Sequence, residues 1–480
     1  MLQLIAIAFL TIFLLYLYNL YNQYRIWTKQ GTPAILDLTF EWTKMPFQDL
    51  TLSLARHGKI FGVVNYTDNL LVINDPKIVY ELSIKEMNKF PVRFHRYFGT
   101  SSLSESVFMI PATDKWKRLR SIVTPAFTSG KLRAMSEPID QIVQNFINSI
   151  EPYSRTGEQF DLKLYTSALT MDVISACAYG LKIDSINEPK HPIVNHAKRI
   201  LSIDVTFSQV FCYVFPQLAK FLGFEAFDIN SSKYFDQVTF SIIEKRLKQN
   251  PKQYRDLIGL IMEQECLNEN DVNPSKGISK REIAGLGIIF FLAGHDTTNT
   301  TLCHIFHYLI RYPEWQDKIY AELSKQDKLT DFDLLKSLPI LNAVINETLR
   351  LNPPLILVGR GNYDEQKLLD TGIVVPKNCS ISFHINVIQR DPDYFDDPDS
   401  FKPQRFIDDP KLESSIAFMP FGVGPRLCVG MRFALNELRI TLANFVKNYR
   451  LDPDPKHKLE YYCGNVLNSP KNTFVRIDKR

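Results

Sequence analysis

Phe421-Gly-Val-Gly-Pro-Arg-Leu-Cys-Val-Gly430 decides how this 480-residue chain is read. Its glycines and proline predict a tight loop that delivers Cys428 just ahead of a helix running from Gly430 to about Tyr449. At such a helix start, free amide N–H groups and the positive end of the dipole favour a thiolate. A thiolate in turn donates electron density to a metal. A cysteine standing alone is more often a small buried hydrophobe. Cys177, Cys212, Cys266, Cys303, Cys379 and Cys463 read that way. With Cys428 they are odd in number and contain no CxxC pair, which indicates neither a disulfide framework nor a structural zinc site. Cys428 differs because the FxxGxRxCxG pattern specifies its surroundings.

Working outward, Ala293-Gly-His-Asp-Thr-Thr298 interrupts an apolar helix predicted from Ser279 to Arg311. Phe290, Ala293, Gly294, Thr297 and Thr301 fall at i, i+3 and i+4 spacing and share a face. A helical glycine costs about 1 kcal/mol relative to alanine, and a polar run costs more if buried unpaired. The interruption therefore predicts a groove, with Ala293 and Gly294 leaving room and Thr297 bonding back to the carbonyl four residues earlier. Glu347 and Arg350 sit at i, i+3 on a helix from Pro339 to Leu351, which ends before Pro353-Pro354. Leu341, Val344, Ile345 and Leu349 on the same helix predict partial burial of that pair.

At the amino end, Leu2 to Tyr21 reads LQLIAIAFLTIFLLYLYNLY, with no charge before Arg25. Twenty helical residues reach about 30 Å, the thickness of a hydrocarbon core. Tyr16, Tyr18, Tyr21, Tyr24 and Trp27 supply interfacial aromatics, and Arg25 and Lys29 put the rest of the chain on the cytoplasmic side. The expected layout is a membrane anchor over 1–24, a linker over 25–45 broken by Gly31 and Pro33, and one large domain over 46–480. Ile283 to Gly294 is apolar but only twelve residues long, which suits a buried core helix.

Lys59 to Asn74 predicts a β-hairpin. Helices are predicted over 114–124, 138–151, 162–179, 232–248 and 256–264, with short strands and turns over 373–412. The fold class is mainly α with a minor β portion. Lys and Arg total 56 against 52 Asp and Glu, a net charge of +4 that gives no basic stripe for nucleic acid.

These segments resemble the cytochrome P450 family of haem-thiolate monooxygenases, over nearly the whole chain. Phe421, Gly424, Arg426, Cys428 and Gly430 stand where that family's haem loop has them. Trp116 to Leu132 and Gly424 to Ile440 resemble the microsomal branch that oxidises drugs and steroids. The resemblance implies a haem b cofactor with Cys428 as axial thiolate, and Asp296 and Thr297 as an acid–alcohol pair that relays protons. It implies Arg426, Trp116, Arg120 and Arg360 as propionate partners, joined by Arg93, His95 or Arg96. Arg405, in Phe401-Lys-Pro-Gln-Arg-Phe406, would complete a structural triad with Glu347 and Arg350. Met109, Ile110, Phe290, Thr301, Leu355, Ile356 and Leu357 would line a pocket for a lipophilic substrate.

The family draws on O2 and on electrons from NADPH. No Gly-rich nucleotide fingerprint occurs here, so those electrons would come from a flavoprotein reductase. Lys115, Lys117, Arg118, Arg432 and Arg439 would suit its acidic face. The implied setting is the endoplasmic reticulum membrane, single-pass, with the catalytic domain in the cytosol. Gln389 and Gln404 depart from the family pattern, where a histidine and a glutamate are more usual. Two other activities remain open: a reductase-independent haem-thiolate isomerase or dehydratase, against which the Asp296–Thr297 pair argues, and a non-catalytic haem sensor.

Overall fold

The computed structural model describes residues 2–36, 44–64, 69–93, 98–200, 206–249, 253–263, 266–267, 277–326, 328–464 and 466–480. His95 and Arg96 lie outside them. The helices that matter here are α1 (Leu2–Thr28), α2 (Asp114–Val123), α3 (Ser129–Thr156), α4 (Leu162–Tyr179), α5 (Phe207–Val214), α6 (Pro216–Leu222), α7 (Ile229–Leu247), α8 (Lys280–Arg311), α9 (Pro339–Leu351) and α10 (Met431–Asn448). Strands β1 (Ala34–Leu36), β2 (Ile60–Val64), β3 (Asn69–Ile73), β4 (Leu357–Gly361) and β5 (Ser380–His384) make one sheet in the order β1-β2-β3-β5-β4. The predicted hairpin is β2–β3, with Gly62 opposite Leu71. β5 joins β3 in parallel and β4 antiparallel. The architecture is mainly helical with a minor sheet, as the pattern predicts.

α8 is the central element. Ser279 caps it: the Glu282 N–H donates to the Ser279 hydroxyl at 3.2 Å, and the Ser279 N–H donates to the Glu282 carboxylate at 2.9 Å. That reciprocal box satisfies two donors a helix start otherwise leaves bare. Arg118 on α2 also grips Glu282, at 2.5 and 3.2 Å. Every residue from Glu282 to Leu292 is buried.

Two segments differ from expectation. The helix predicted from Pro138 begins at Ser129 and runs straight through that proline. A mid-helix proline forfeits a hydrogen bond and crowds the preceding turn. Here Leu132, Met135, Ile139, Val143, Phe146, Ile147 and Ile150 bury a continuous stripe on both sides of it, and that burial outweighs the local cost. The stretch expected to link anchor and domain is also partly folded. Trp27 is fully buried, and β1 pairs in parallel with β2. The Gly31 and Pro33 breakers turn the chain back onto the sheet rather than releasing it. Among the described residues no helix is long and apolar enough to cross a membrane.

The Glu347 carboxylate fixes the base of the site. It takes Arg350 Nε at 2.7 Å and Nη2 at 2.9 Å, Arg405 Nε at 3.2 Å, and the Lys402 N–H at 2.8 Å. The Glu347 and Arg350 side chains are wholly buried. Arg350 also donates to the carbonyls of Gln389, Pro398 and Ser400. Gln389 then bridges onward: its Nε2 donates to the Leu349 and Arg350 carbonyls, and its Oε1 accepts the Met419 N–H at 2.9 Å. The end of α9 is thus tied to the segment that leads into Phe421.

Replacing Glu347→Ala strands two buried guanidinium groups, and breaking a buried pair this way costs about 3–5 kcal/mol. The thermal unfolding midpoint should fall steeply, whereas Asp333→Asn, which removes only the exposed Arg133 pair, should barely move it. Equal shifts would contradict the structural weight given to Glu347.

Candidate active site

The Cys428 loop is closed by its own backbone. The Cys428 N–H donates to the Phe421 carbonyl and the Leu427 N–H to the Gly424 carbonyl, both at 2.9 Å. Gly424 has φ +73°, and a Cβ there would stand 2.6 Å from the Ser83 carbonyl oxygen. Both conformation and space therefore require glycine. Gly430 caps α10, but an added Cβ would meet only Cys428 Sγ at 3.9 Å and Phe127 at 4.0 Å, so its surroundings make no such demand. Phe421 is half-buried against the main core.

The Cys428 side chain is accessible although protein surrounds it closely, so it faces an internal cleft. Burial pushes its thiol pKa up. The N–H groups of Gly430 and Met431 and the charges of Arg120 and Arg93 oppose that shift without overcoming it. The helix start favours a thiolate, as predicted, but desolvation is the larger effect. A bound cation would reverse the balance.

Four arginines gather beside the loop. Arg120 Nη2 donates to the Leu427 carbonyl at 2.7 Å, and Arg93 Nη2 to the Arg426 carbonyl at 3.3 Å. Arg426 Nη2 reaches the carbonyls of Pro91 and Ile110, at 3.0 and 2.8 Å, with its guanidinium 4.9 Å over the Trp116 ring. The Trp116 indole donates to the Val107 carbonyl at 3.2 Å. Among the described residues, Arg360 donates only to the Gly359 carbonyl.

Burial, reinforced by mutual repulsion, lowers the pKa of Arg93 to about 10, that of Arg426 to about 9, and that of Arg360 well below the usual value. Arg120 is lowered by burial alone. Arg93 Nε, Arg360 Nε, and Arg426 Nε and Nη1 are buried without a partner. Among the described residues no carboxylate pairs with any of the four. Buried cations without counter-charge are costly, so this cluster fits a ligand that brings carboxylates. Haem, with two propionates and an iron for the Cys428 sulfur, matches that donor set.

Across the cleft lies α8. Ala293 is exposed although the helix before it is buried, which marks the open face. Thr297 Oγ1 donates to the Ala293 carbonyl at 2.6 Å, the back-bond the sequence predicts, and Thr301 Oγ1 donates to the Thr297 carbonyl at 2.9 Å. Asp296 and Thr297 are half-exposed. Gly294 behaves differently from expectation. A Cβ there would stand 2.7 Å from Ile174 Cδ1 on α4, so it serves close helix packing rather than room over the cleft.

The expected pocket residues divide. Met109, Leu355 and Leu357 keep some exposure, whereas Ile110, Phe290, Thr301 and Ile356 are buried. Phe290 meets Phe127 edge-on at 5.7 Å, so Phe127 joins α8 to the Cys428 loop. Leu355 bridges Leu467, and the Asn468 N–H donates to the Pro354 carbonyl at 2.9 Å. This carboxy-terminal wall carries no motif that sequence reading could have found. The expected basic docking cluster is largely spent: Arg118 and Lys115 pair with acids, Lys117 pairs with Asp114, and Arg439 turns to Asn342. Of the five, Arg432 alone is exposed without an acidic partner among the described residues.

In the haem-free protein, Arg360→Leu removes repulsion and should leave the melting midpoint unchanged or higher. Haem affinity should fall about 10- to 100-fold by titration, the worth of one charge-assisted hydrogen bond. Undiminished affinity would separate Arg360 from the cofactor.

The family profile Cytochrome P450 matches residues 33–476. The chain is 30% identical over 483 residues to the lithocholate 6-beta-hydroxylase of Mesocricetus auratus, covering 97% of this chain and 94% of that protein. It is 29% identical over 454 residues to cytochrome P450 3A29 of Sus scrofa, covering 92% and 89%. To cytochrome P450 3A9 of Rattus norvegicus it is 30% identical over 493 residues, covering 98% and 95%. With the cysteine loop, the arginine cluster and the α8 groove already in place, the chain belongs to the cytochrome P450 family and is a reductase-dependent monooxygenase that uses haem b, O2 and electrons from NADPH.

Proposed function

We propose that this enzyme inserts one oxygen atom of O2 into a lipophilic small molecule at the face of α8 that Ala293 and Thr297 open. The observation that carries this reading is the accessible Cys428 sulfur beside four arginines, three of which, Arg93, Arg360 and Arg426, keep buried guanidinium nitrogens without a partner among the described residues. Haem held there supplies the oxygen-activating chemistry, with the second oxygen atom leaving as water. Cys428 would give it a thiolate ligand. Arg426, Arg93, Arg120 and Arg360 would hold its carboxylates, with Trp116 stacked on the Arg426 guanidinium.

Thr297 spends its own proton on the Ala293 carbonyl, so its oxygen lone pairs face the cleft as acceptors. Asp296, on the same turn and half-exposed, would hand protons from solvent to a water that donates to the Thr297 oxygen, so that the water carries them into the cleft and no proton rests on the hydroxyl. Met109, Leu355 and Leu357 offer apolar contact to a substrate. The name of the hamster relative, a lithocholate hydroxylase, is consistent with a steroid-sized molecule. Two electrons arrive from a flavoprotein reductase on the side of the Cys428 loop, where Arg432 remains exposed.

The domain works at a membrane surface, the endoplasmic reticulum with the domain in the cytosol. Supporting this, α1 exposes Ile7, Leu10, Phe13, Leu14, Leu15 and Leu17, followed by Tyr18, Tyr21 and Tyr24 and by Arg25. α5 and α6 add Phe207 at 74% and Phe221 at 85% exposure, an apolar patch of the kind that marks an interaction surface.

Reduced protein under carbon monoxide should show a strongly red-shifted Soret band that Cys428→Ser abolishes. Thr297→Ala should then consume NADPH without matching product, while binding substrate unchanged. An unshifted wild-type band would overturn the ligand assignment, and full coupling in Thr297→Ala would overturn the relay.

A further inference from the structure

We propose that α1 and the catalytic domain are one rigid body, so that the lipid-facing helix sets the tilt of the domain on the membrane. The proposal rests on the membrane reading above only for its lipid side; the rigidity stands on contacts within the chain.

α1 contains neither glycine nor proline from Leu2 to Thr28, so it lacks the residues at which helices kink. From Tyr16 onward one face is docked. Leu20 and Gln23 are each 5% exposed, Trp27 is fully buried, and Tyr16 and Ile26 are half-buried against the same cluster. The i, i+4, i+7 and i+11 spacing of Tyr16, Leu20, Gln23 and Trp27 is that of one helix face. Their partners include Val64, Leu71 and Ile73 of the sheet. The opposite face keeps Leu17, Tyr18, Tyr21 and Tyr24 exposed. One helix thus presents a protein-facing stripe and a lipid-facing stripe over the same turns.

The lock is Trp27 on Gly62. A Cβ at Gly62 would fall within the van der Waals envelope of the indole ring, so the ring lies flat on β2 only because that position has no side chain. Past the helix end the chain stays stitched. The Thr32 N–H donates to the Trp27 carbonyl at 3.1 Å, and the Gly62 N–H to the Pro33 carbonyl at 2.7 Å. The Gln30 amide binds a distant segment in both directions. It donates to the Val374 carbonyl at 3.1 Å and accepts the Val374 N–H at 2.6 Å. β1 then pairs with β2, with Ala34 opposite Gly62 and Ile35 opposite Val63. A flexible tether would let the domain sample many tilts. A helix fixed to β2 and to Val374 at once removes that freedom, and the mouth of the cleft keeps one attitude to the lipid.

The test compares wild type with Gly62→Ala, which pushes the indole off β2, and Trp27→Ala, which removes it without overpacking. Both are checked first for an intact carbon monoxide band. Nitroxides on Leu14→Cys and on the exposed Cys463, attached to haem-loaded protein whose Cys428 sulfur is occupied and in a Cys266→Ser background, report the helix-to-domain distance by pulsed electron paramagnetic resonance in detergent. One narrow distance in wild type, broadened several-fold in both variants, is expected. A broad wild-type distribution would overturn the rigid body, and identical narrow ones in all three would overturn the Trp27–Gly62 contact as the lock that holds it.

In oriented bilayers, haem linear dichroism should be strong in wild type and several-fold weaker in both variants, with liposome flotation unchanged. Dichroism that is weak throughout would overturn the fixed tilt. Loss of flotation in wild type, with the narrow distance retained, would overturn the membrane reading and the tilt while leaving the docked helix in place.

Discussion

A buried carboxylate must be answered by donors on every side, and Glu347 is answered by Arg350, Arg405 and the Lys402 amide. Two of these partners come from a segment more than fifty positions downstream, so the pair that forms locally on α9 is incomplete until the chain returns. Its geometry then propagates. Arg350 fixes the carbonyls of Gln389, Pro398 and Ser400, and Gln389 fixes Met419, two residues before the cysteine loop. This relay of polar contacts therefore reaches to the start of the loop that carries Cys428.

The same interior treats positive charge in opposite ways at two places. Around Glu347 each guanidinium has a carboxylate or carbonyl. Around Cys428 four guanidinium groups crowd together with several nitrogens left bare. The first arrangement is self-sufficient and serves architecture. The second is unfavourable by itself and becomes favourable only with an anion present, which is how a binding site differs from a structural ion pair.

Much of this was legible in the sequence because it was local. α4 spans the 162–179 expected of it and α9 stops just before Pro353, and the Thr297 back-bond comes from one residue type at one spacing. What was not legible depends on partners far along the chain. Gly294 reads as empty space until α4 brings Ile174 against it. Arg93 is one of three neighbouring basic residues with nothing in its own segment to single it out. Pro138 reads as a helix start until the stripe from Leu132 to Ile150 is seen to bury through it. The basic cluster near α2 reads as a docking face until Glu105, Asp114 and Glu282 are found beside it. The departure at Gln389 reads as incidental, yet its amide is what joins α9 to Met419.

The sheet also sets a timetable. β3 pairs with β5 through Leu71 opposite Ile381, so the strand that completes it is made some three hundred residues later. At about 5–20 residues per second, translation leaves that edge unpaired for roughly 15–60 s. An open apolar edge is a site of misassociation. The neighbours on the other side of β3, the strand β2 and the helix α1, are synthesised before it. The nascent chain therefore has half of its sheet ready early and must keep the other edge from other chains until residue 384 has left the ribosome.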